Sequence, residues 1–328
     1  MTALPLPWSS AAGRQRWVRR NAWTLGVCVL LAIMLLVEKL VHPSMGSFEI
    51  QTLVIGSLPL AFAAMAQAAV VLSGGIDLSV GSLMTLVNVL AALWMASANF
   101  GEALLLSLAL VAVGALAGAF TGALITVTRV PDIVVTLAMS FVWAGVALQA
   151  MPTPGGGAPI DWQNLMTGEV WSYVPEGLFV LALALGVIWL PVVRSRLGLA
   201  LYAIGSNRNA AYLGGVSVSR TRVAAYALGG VFAALAGLAL TAGTATGSAN
   251  SGASYTLNSV AAVVLGGVTL TGGRGGMLGP VAAAFTLQAV GSVLFFLGYD
   301  ENYSTVIQGV IVVLVVMFAG LVLARRRR

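Results

Sequence analysis

The sequence predicts an all-α, polytopic membrane protein with about ten transmembrane helices, some broken or re-entrant. Three observations carry that class. Of 328 residues, 59% are hydrophobic and only 8% charged, with a mean hydropathy of +0.98, whereas soluble domains carry about 25% charged residues. Apolar runs of the length a helix needs to cross a hydrocarbon core, about 20 residues, recur along the whole chain. Of the 16 basic residues 15 are arginine, clustered at Arg14–Arg20, Arg129, Arg194–Arg222, Arg274 and Arg325–Arg328, and each cluster flanks an apolar run. The net charge of +6 is therefore a positive-inside signal rather than a nucleic-acid patch.

Residues 1–21 read as a basic cytoplasmic tail at the membrane surface. The first run, 22–41, ends in Glu38 and Lys39 without a small-residue cleavage pattern, so a span is expected there and not a signal peptide. It holds Cys28, the single cysteine, which excludes an intrachain disulfide; the single histidine, His42, builds no metal site. The second run, 51–72, leads into the glycine-broken turn VLSGGIDLSVG, and 79–97 follows. In the fourth run, 103–127, Gly114, Gly118 and Gly122 recur every fourth residue and predict a smooth face for close packing within the chain. The fifth, 132–151, opens on Pro131-Asp132, a helix first-turn pattern.

Loop 152–173 begins MPTPGGGAPIDW, and its Pro and Gly content argues against a continuous helix. After the run 174–193 comes 194–221, with an arginine-rich start, an amphipathic middle and a Gly214-Gly215 stop; a short helix on the inner face is expected. The run 222–243 carries Gly229, Gly230, Ala233 and Gly237, a second small-residue stripe. The run 256–271 is short, glycine-rich and a candidate re-entrant segment; 277–298 and 303–324 complete the set before the basic end 325–328. With the N-terminus inside, ten crossings put every arginine on the cytoplasmic side. They put Glu49, Glu102, Asp161, Glu169, Glu176, Asp300 and Glu301 outside. Residues 22–324 thus read as one transmembrane domain with both termini cytoplasmic.

Free backbone groups in lipid cost several kcal/mol unless protein or water satisfies them. The break at Gly74, Gly75, Asp77 and Ser79 is therefore expected where the chain lines a pathway or re-enters the membrane. Asp77 and Asp132 are the ionisable residues near the inner boundary. They read either as proton sites or as carboxylates favoured at helix N-termini. Gln67, Asn88, Thr136, Ser140, Gln149, Asn258 and Gln288 are polar positions inside the spans. Such uncharged groups suit a neutral polar solute and serve equally as interhelical hydrogen bonds; Asn88 and Asn258 are retained as pathway candidates. VLSGGIDLSVG (71–81) and VLGGVTLTGG (264–273) form a weak internal repeat in parallel orientation.

No GxxxxGK[ST] occurs, and Lys39 is the only lysine, so this chain lacks the P-loop that ATP hydrolysis by that route requires. GGRGG (272–276) reads as a tight inner turn rather than a phosphate cradle. HExxH, Cys–His clusters and a strand-borne GxSxG are absent, which argues against an enzyme and against a metal site.

GGIDLSVGS (74–82), GLALYAIGSNRNAAYLGGVSV (198–218) and LNSVAAVVLGGVTLTGGRGGMLGP (257–280), in this order, resemble the permease subunits of ribose-type, binding-protein-dependent ABC importers of monosaccharides. The resemblance covers about residues 50–320. The middle block departs mildly, with Gly-Ser-Asn at 205–207 where the family often has a second Gly, and Gly215-Val216 where Gly-Ile is usual.

The resemblance implies a bacterial inner-membrane pathway subunit working with a second permease, identical or paralogous. It also implies ABC ATPase subunits that use ATP and Mg, and an extracytoplasmic sugar-binding protein; this chain itself would bind no cofactor. On that reading Asn207, Arg208, Ala210, Ala211 and Gly214 form the ATPase-coupling segment, with Arg208 facing an acidic rim. The alternative is an ion-coupled secondary transporter using Asp77 and Asp132, which needs no partner.

Overall fold

The computed structural model describes residues 11–171 and 174–299, with side chains from Asn21 onward, and scattered positions between 303 and 317. The predicted tenth span and the basic end 325–328 lie largely outside the described residues.

In chain order the helices are α1 (Ala11–Val41), α2 (Ser47–Leu72), α3 (Val80–Trp94), α4 (Phe100–Thr128), α5 (Asp132–Ala150) and α6 (Ile160–Thr167). A two-stranded antiparallel pair, β1 (Glu169–Trp171) and β2 (Val174–Pro175), precedes α7 (Glu176–Leu183). A π turn over Ala184–Trp189 joins α7 to α8 (Leu190–Arg194). Pro191 has no N–H to give to the turn before it, and the helix loosens there instead of stopping. Then come α9 (Arg196–Ser206), α10 (Arg208–Leu213), α11 (Val218–Thr244), α12 (Ala253–Leu265) and α13 (Leu278–Phe296).

Seven helices are long and apolar enough to cross a membrane: α1 from Asn21, α2, α4, α5, the composite Glu176–Arg194, α11 and α13. The shorter apolar helices α3 and α12 occupy the third and eighth predicted spans, so the first nine expected crossings all have a helix. Loop 152–173 is not wholly irregular, because α6 starts behind Pro159.

The core is built around α11, which packs on α4, α2 and α3. The two predicted glycine stripes meet each other. A Cβ on Gly114 would stand 2.5 Å from Gly230 O and 2.6 Å from Ala234 Cβ, and Gly118 lies against the Tyr226 carbonyl. Backbone-to-backbone approach of this kind needs small residues on both helices. By contrast α4 and α5 turn Leu105, Leu108, Leu116, Phe120 and Phe141 outward, as lipid-facing helices do.

Two crossings are broken, and their breaks are complementary. Gly237 on α11 lies against the Met84 carbonyl, and Thr241 pairs with Asn88. These contacts set α3 parallel to α11 and level Val80 with Ala233, past the middle of α11. The chain from Ser73 to Ser79 therefore climbs unwound from the end of α2 before α3 begins near mid-depth. On the other side of the break, residues 245–252 descend from the end of α11 alongside α3. Ser248 N–H donates to Asn88 Oδ1 at 3.0 Å, and Gly252 packs on the Gly81 carbonyl and Thr85. There α12 begins and runs about 20 Å back to the arginine-bearing end, where the Leu265 carbonyl accepts from Trp23 Nε1 at 2.7 Å. The predicted span 256–271 is thus an irregular half followed by a half-helix that ends at Gly266.

Candidate functional site

The first part of the site is the meeting of α3 and α12 N-termini near mid-depth, where Gly81 lies beside Gly252 and Thr256. Only glycine permits this approach, since a Cβ on either residue would overlap backbone of the other segment. Both helix dipoles present their positive ends here. Asp77 is the nearby carboxylate; its Oδ1 accepts from the Ser79 N–H at 2.8 Å and from the Ser79 hydroxyl at 2.6 Å, and the residue is buried. Ser79 is the N-cap position of α3, so Asp77 acts one step before the cap and folds the chain into the helix.

Below it lies a polar node at the arginine-bearing end. Asp132, the first residue of α5, forms an ion pair with Arg222 of α11 through Oδ1 and accepts from Tyr226 Oη through Oδ2 at 3.0 Å. The free carbonyl of Ile76 in the unwound stretch has Thr136 Oγ1 and Tyr226 Oη each 3.4 Å away. Gly75 faces the same groups, and a Cβ on it would stand 2.8 Å from Asp132 Oδ2. Sequence reasoning placed Asp132 in a helix first turn but did not find Arg222 or Tyr226. An Arg and a Tyr four residues apart at the start of an apolar run share a helix face, and that was the available signal.

The third part joins the two repeated turns to the 194–221 segment. Both turns close helices in the same way. After α2, Gly74 (φ 79°) and Gly75 donate to Val71 O and Val70 O; after α12, Gly267 (φ 82°) and Val268 donate to Val264 O and Val263 O. These are Schellman closures, whose left-handed position favours glycine. The turns touch each other and the end of α9: Gly205 packs against the Leu72 carbonyl and Gly273 N, and Gly272 against Gly74. Gly273 N–H donates to Leu72 O at 3.0 Å. Tyr202 Oη donates to Gly275 O at 2.9 Å, and burial raises its pKa, so the phenol keeps its proton. GGRGG is a tight turn, as expected.

Beyond α9, Asn207 caps α10, its Oδ1 accepting from the Ala210 N–H at 3.0 Å. Gly214 ends α10, and Gly215 (φ 82°) turns the chain. Arg208 and Ala210 are exposed while Ala211 faces inward at 7% exposure. The projecting residues are Tyr212 and Leu213, 70% and 84% exposed, which the sequence reading did not single out. Of the remaining candidates, Asn88 is buried and fully engaged with Thr241, Thr246 and Ser248. Asn258 on α12 is half-buried. Among the described residues, no three His, Cys, Asp or Glu side chains are grouped to hold a metal ion.

A family model described as "Branched-chain amino acid transport system / permease component" matches residues 49–316. The chain belongs to this family. The ribose import permease protein RbsC of Escherichia coli (strain K12) is 29% identical to the permease over 319 residues, covering 94% of this chain and 97% of its own. RbsC of Bacillus subtilis (strain 168) is 32% identical over 76% of this chain and 77% of its own. The autoinducer 2 import system permease protein LsrC of Yersinia pestis (strain Pestoides F) is 34% identical over 76% and 71% respectively. No solved structure matches. These relatives place the permease among ribose-type ABC importer permeases, multi-pass proteins of the inner membrane.

Proposed function

We propose that the permease forms part of the path of an ATP-driven importer for a monosaccharide or a related small neutral polar solute. A second permease would complete the path, and an extracytoplasmic binding protein would deliver the solute. A separate ATPase subunit would hydrolyse ATP with Mg. The carrying observation is the pair of half-helices whose N-termini meet near mid-depth, beside a stretch of uncharged polar residues. Asn250 and Ser254 are exposed there, and Ser251 and Asn258 half-buried. Polar side chains at that depth are costly against lipid, so this face belongs against a water-filled path or a partner subunit. Broken helices at mid-depth are the arrangement by which transporters present polar backbone to a solute.

The coupling role of Asn207, Arg208, Ala210, Ala211 and Gly214 follows from the same reading. Tyr212 and Leu213 project from α10 as apolar knobs, and at the arginine-bearing end they suit a cleft on a soluble subunit. The ion-coupled alternative finds less support. Asp77 is held by two bonds from Ser79, and Asp132 by Arg222 and Tyr226, which occupies both carboxylates structurally.

The test is uptake into liposomes holding the permease, with ATPase and binding protein supplied or withheld. Uptake that needs ATP and both partners supports the proposal; uptake under a proton or sodium gradient by the permease alone overturns it. Asn258→Leu should reduce uptake while leaving ATPase binding intact.

A further inference from the structure

At the arginine-bearing end, a cavity of about 390 Å³ opens between the α4–α5 turn and the starts of α10 and α11. Arg129, Arg208 and Arg222 all line it, together with Asp132 and Ser219. One carboxylate faces three guanidinium groups. Asp132 is already committed to Arg222 and Tyr226, which leaves the charges of Arg129 and Arg208 uncompensated by any ion pair among the described residues. Arg222 is only 8% exposed, and its buried Nε has no hydrogen-bond partner. A buried guanidinium donor without an acceptor is costly. Arg129 adopts a left-handed backbone conformation (φ 59°) in closing α4, an uncommon geometry for a side-chain-bearing residue. It sets the residue at the cavity wall.

We propose that this cavity is a phosphate-type anion site, filled by the headgroup of an anionic phospholipid. Guanidinium forks match phosphate oxygens bidentately, and the starts of α5 and α11 add their positive dipole ends. The choice of a lipid over a soluble ligand rests on what flanks the opening. Val127, Ile133 and Val134 are 81%, 49% and 57% exposed beside it, an apolar flank suited to acyl chains directly below a basic headgroup pocket. The inference is independent of the coupling role of α10, because it is tested on the permease alone.

The experiment is native mass spectrometry of the full-length permease released from nanodiscs of phosphatidylcholine mixed with phosphatidylglycerol. Wild-type protein should retain phosphatidylglycerol in preference to phosphatidylcholine. Arg129→Gln, outside α10, and Arg208→Gln should each lower that retention about five-fold, the effect of one basic residue at an anionic surface. Arg222 is left intact because its removal would strand Asp132. Equal retention of the two lipids, or retention unchanged in both variants, overturns the proposal. A second arm adds inorganic phosphate to phosphatidylcholine-only discs; protection against thermal unfolding there, lost in Arg129→Gln, would assign the site to free phosphate and overturn the lipid source. Retention that is absent from the permease alone, with Arg129 instead cross-linking to an acidic side chain of the ATPase subunit, would also overturn it.

Discussion

Tyr226 on α11 and Asp132 on α5 share a hydrogen bond of 3.0 Å across 94 residues of sequence. Gly75 of the unwound stretch lies against both, since a Cβ there would come 2.8 Å from the carboxylate and 2.9 Å from the phenol oxygen. The absence of a side chain at one position thus allows two helices and a broken crossing to share one polar junction.

Gly75→Ala should therefore destabilise the protein by about 1–3 kcal/mol through overpacking. Gly145→Ala is the control: nothing lies within 4 Å of its added methyl, and alanine favours the helix. Melting in detergent, followed by fluorescence, should show a lowered Tm for the first variant and an unchanged or raised one for the second.

Removing one side of the Arg222–Asp132 pair leaves a charge without its partner. Arg222→Met is expected to cost about 3–5 kcal/mol, and Arg222→Met with Asp132→Leu to recover part of that loss. A double-mutant cycle on thermal or denaturant unfolding reads the coupling directly.

Asp77→Asn preserves an acceptor for the Ser79 N–H and hydroxyl, so folding and transport should both survive. Asp77→Ala removes it and should cost about 1 kcal/mol or more, as a lost helix-start interaction does. Loss of transport in a well-folded Asp77→Asn variant would mean that ionisation of this carboxylate matters, and would revive the ion-coupled alternative.

Gly205→Ala forces a methyl into the Leu72 carbonyl and to 2.5 Å from Gly273 N. The variant should still bind the ATPase through α10 but hydrolyse more ATP per solute moved. Measuring both rates in one proteoliposome preparation gives that ratio; an unchanged ratio in a folded variant would remove α9 from the coupling route.

The crossings were legible because each required an apolar run and an arginine flank, and both signals are local. The expected α4–α11 contact was legible for the same reason, as Gly114, Gly118 and Gly122 form a face by spacing alone. Helix ends were harder. The repeat was read by matching the glycine pairs, yet the structure aligns Gly74 with Gly267 and Gly75 with Val268, one residue out of that register. What fixes the register is the left-handed turn position and its closing hydrogen bonds, not glycine at both sites. The polar node was not legible. Arg222 and Asp132 are 90 residues apart, and nothing near either names the other. Tyr212 and Leu213 were passed over because their exposure depends on where α10 stops.

Gly205, Gly272 and Gly74 touch through main chain, with no side chain between the end of α9 and the turns that follow α2 and α12. Side chains can change rotamer and absorb a small displacement; peptide planes in contact cannot. A shift of α9 by even a fraction of an ångström is therefore handed undiminished to both turns together, so that the two broken crossings advance in step or the junction parts.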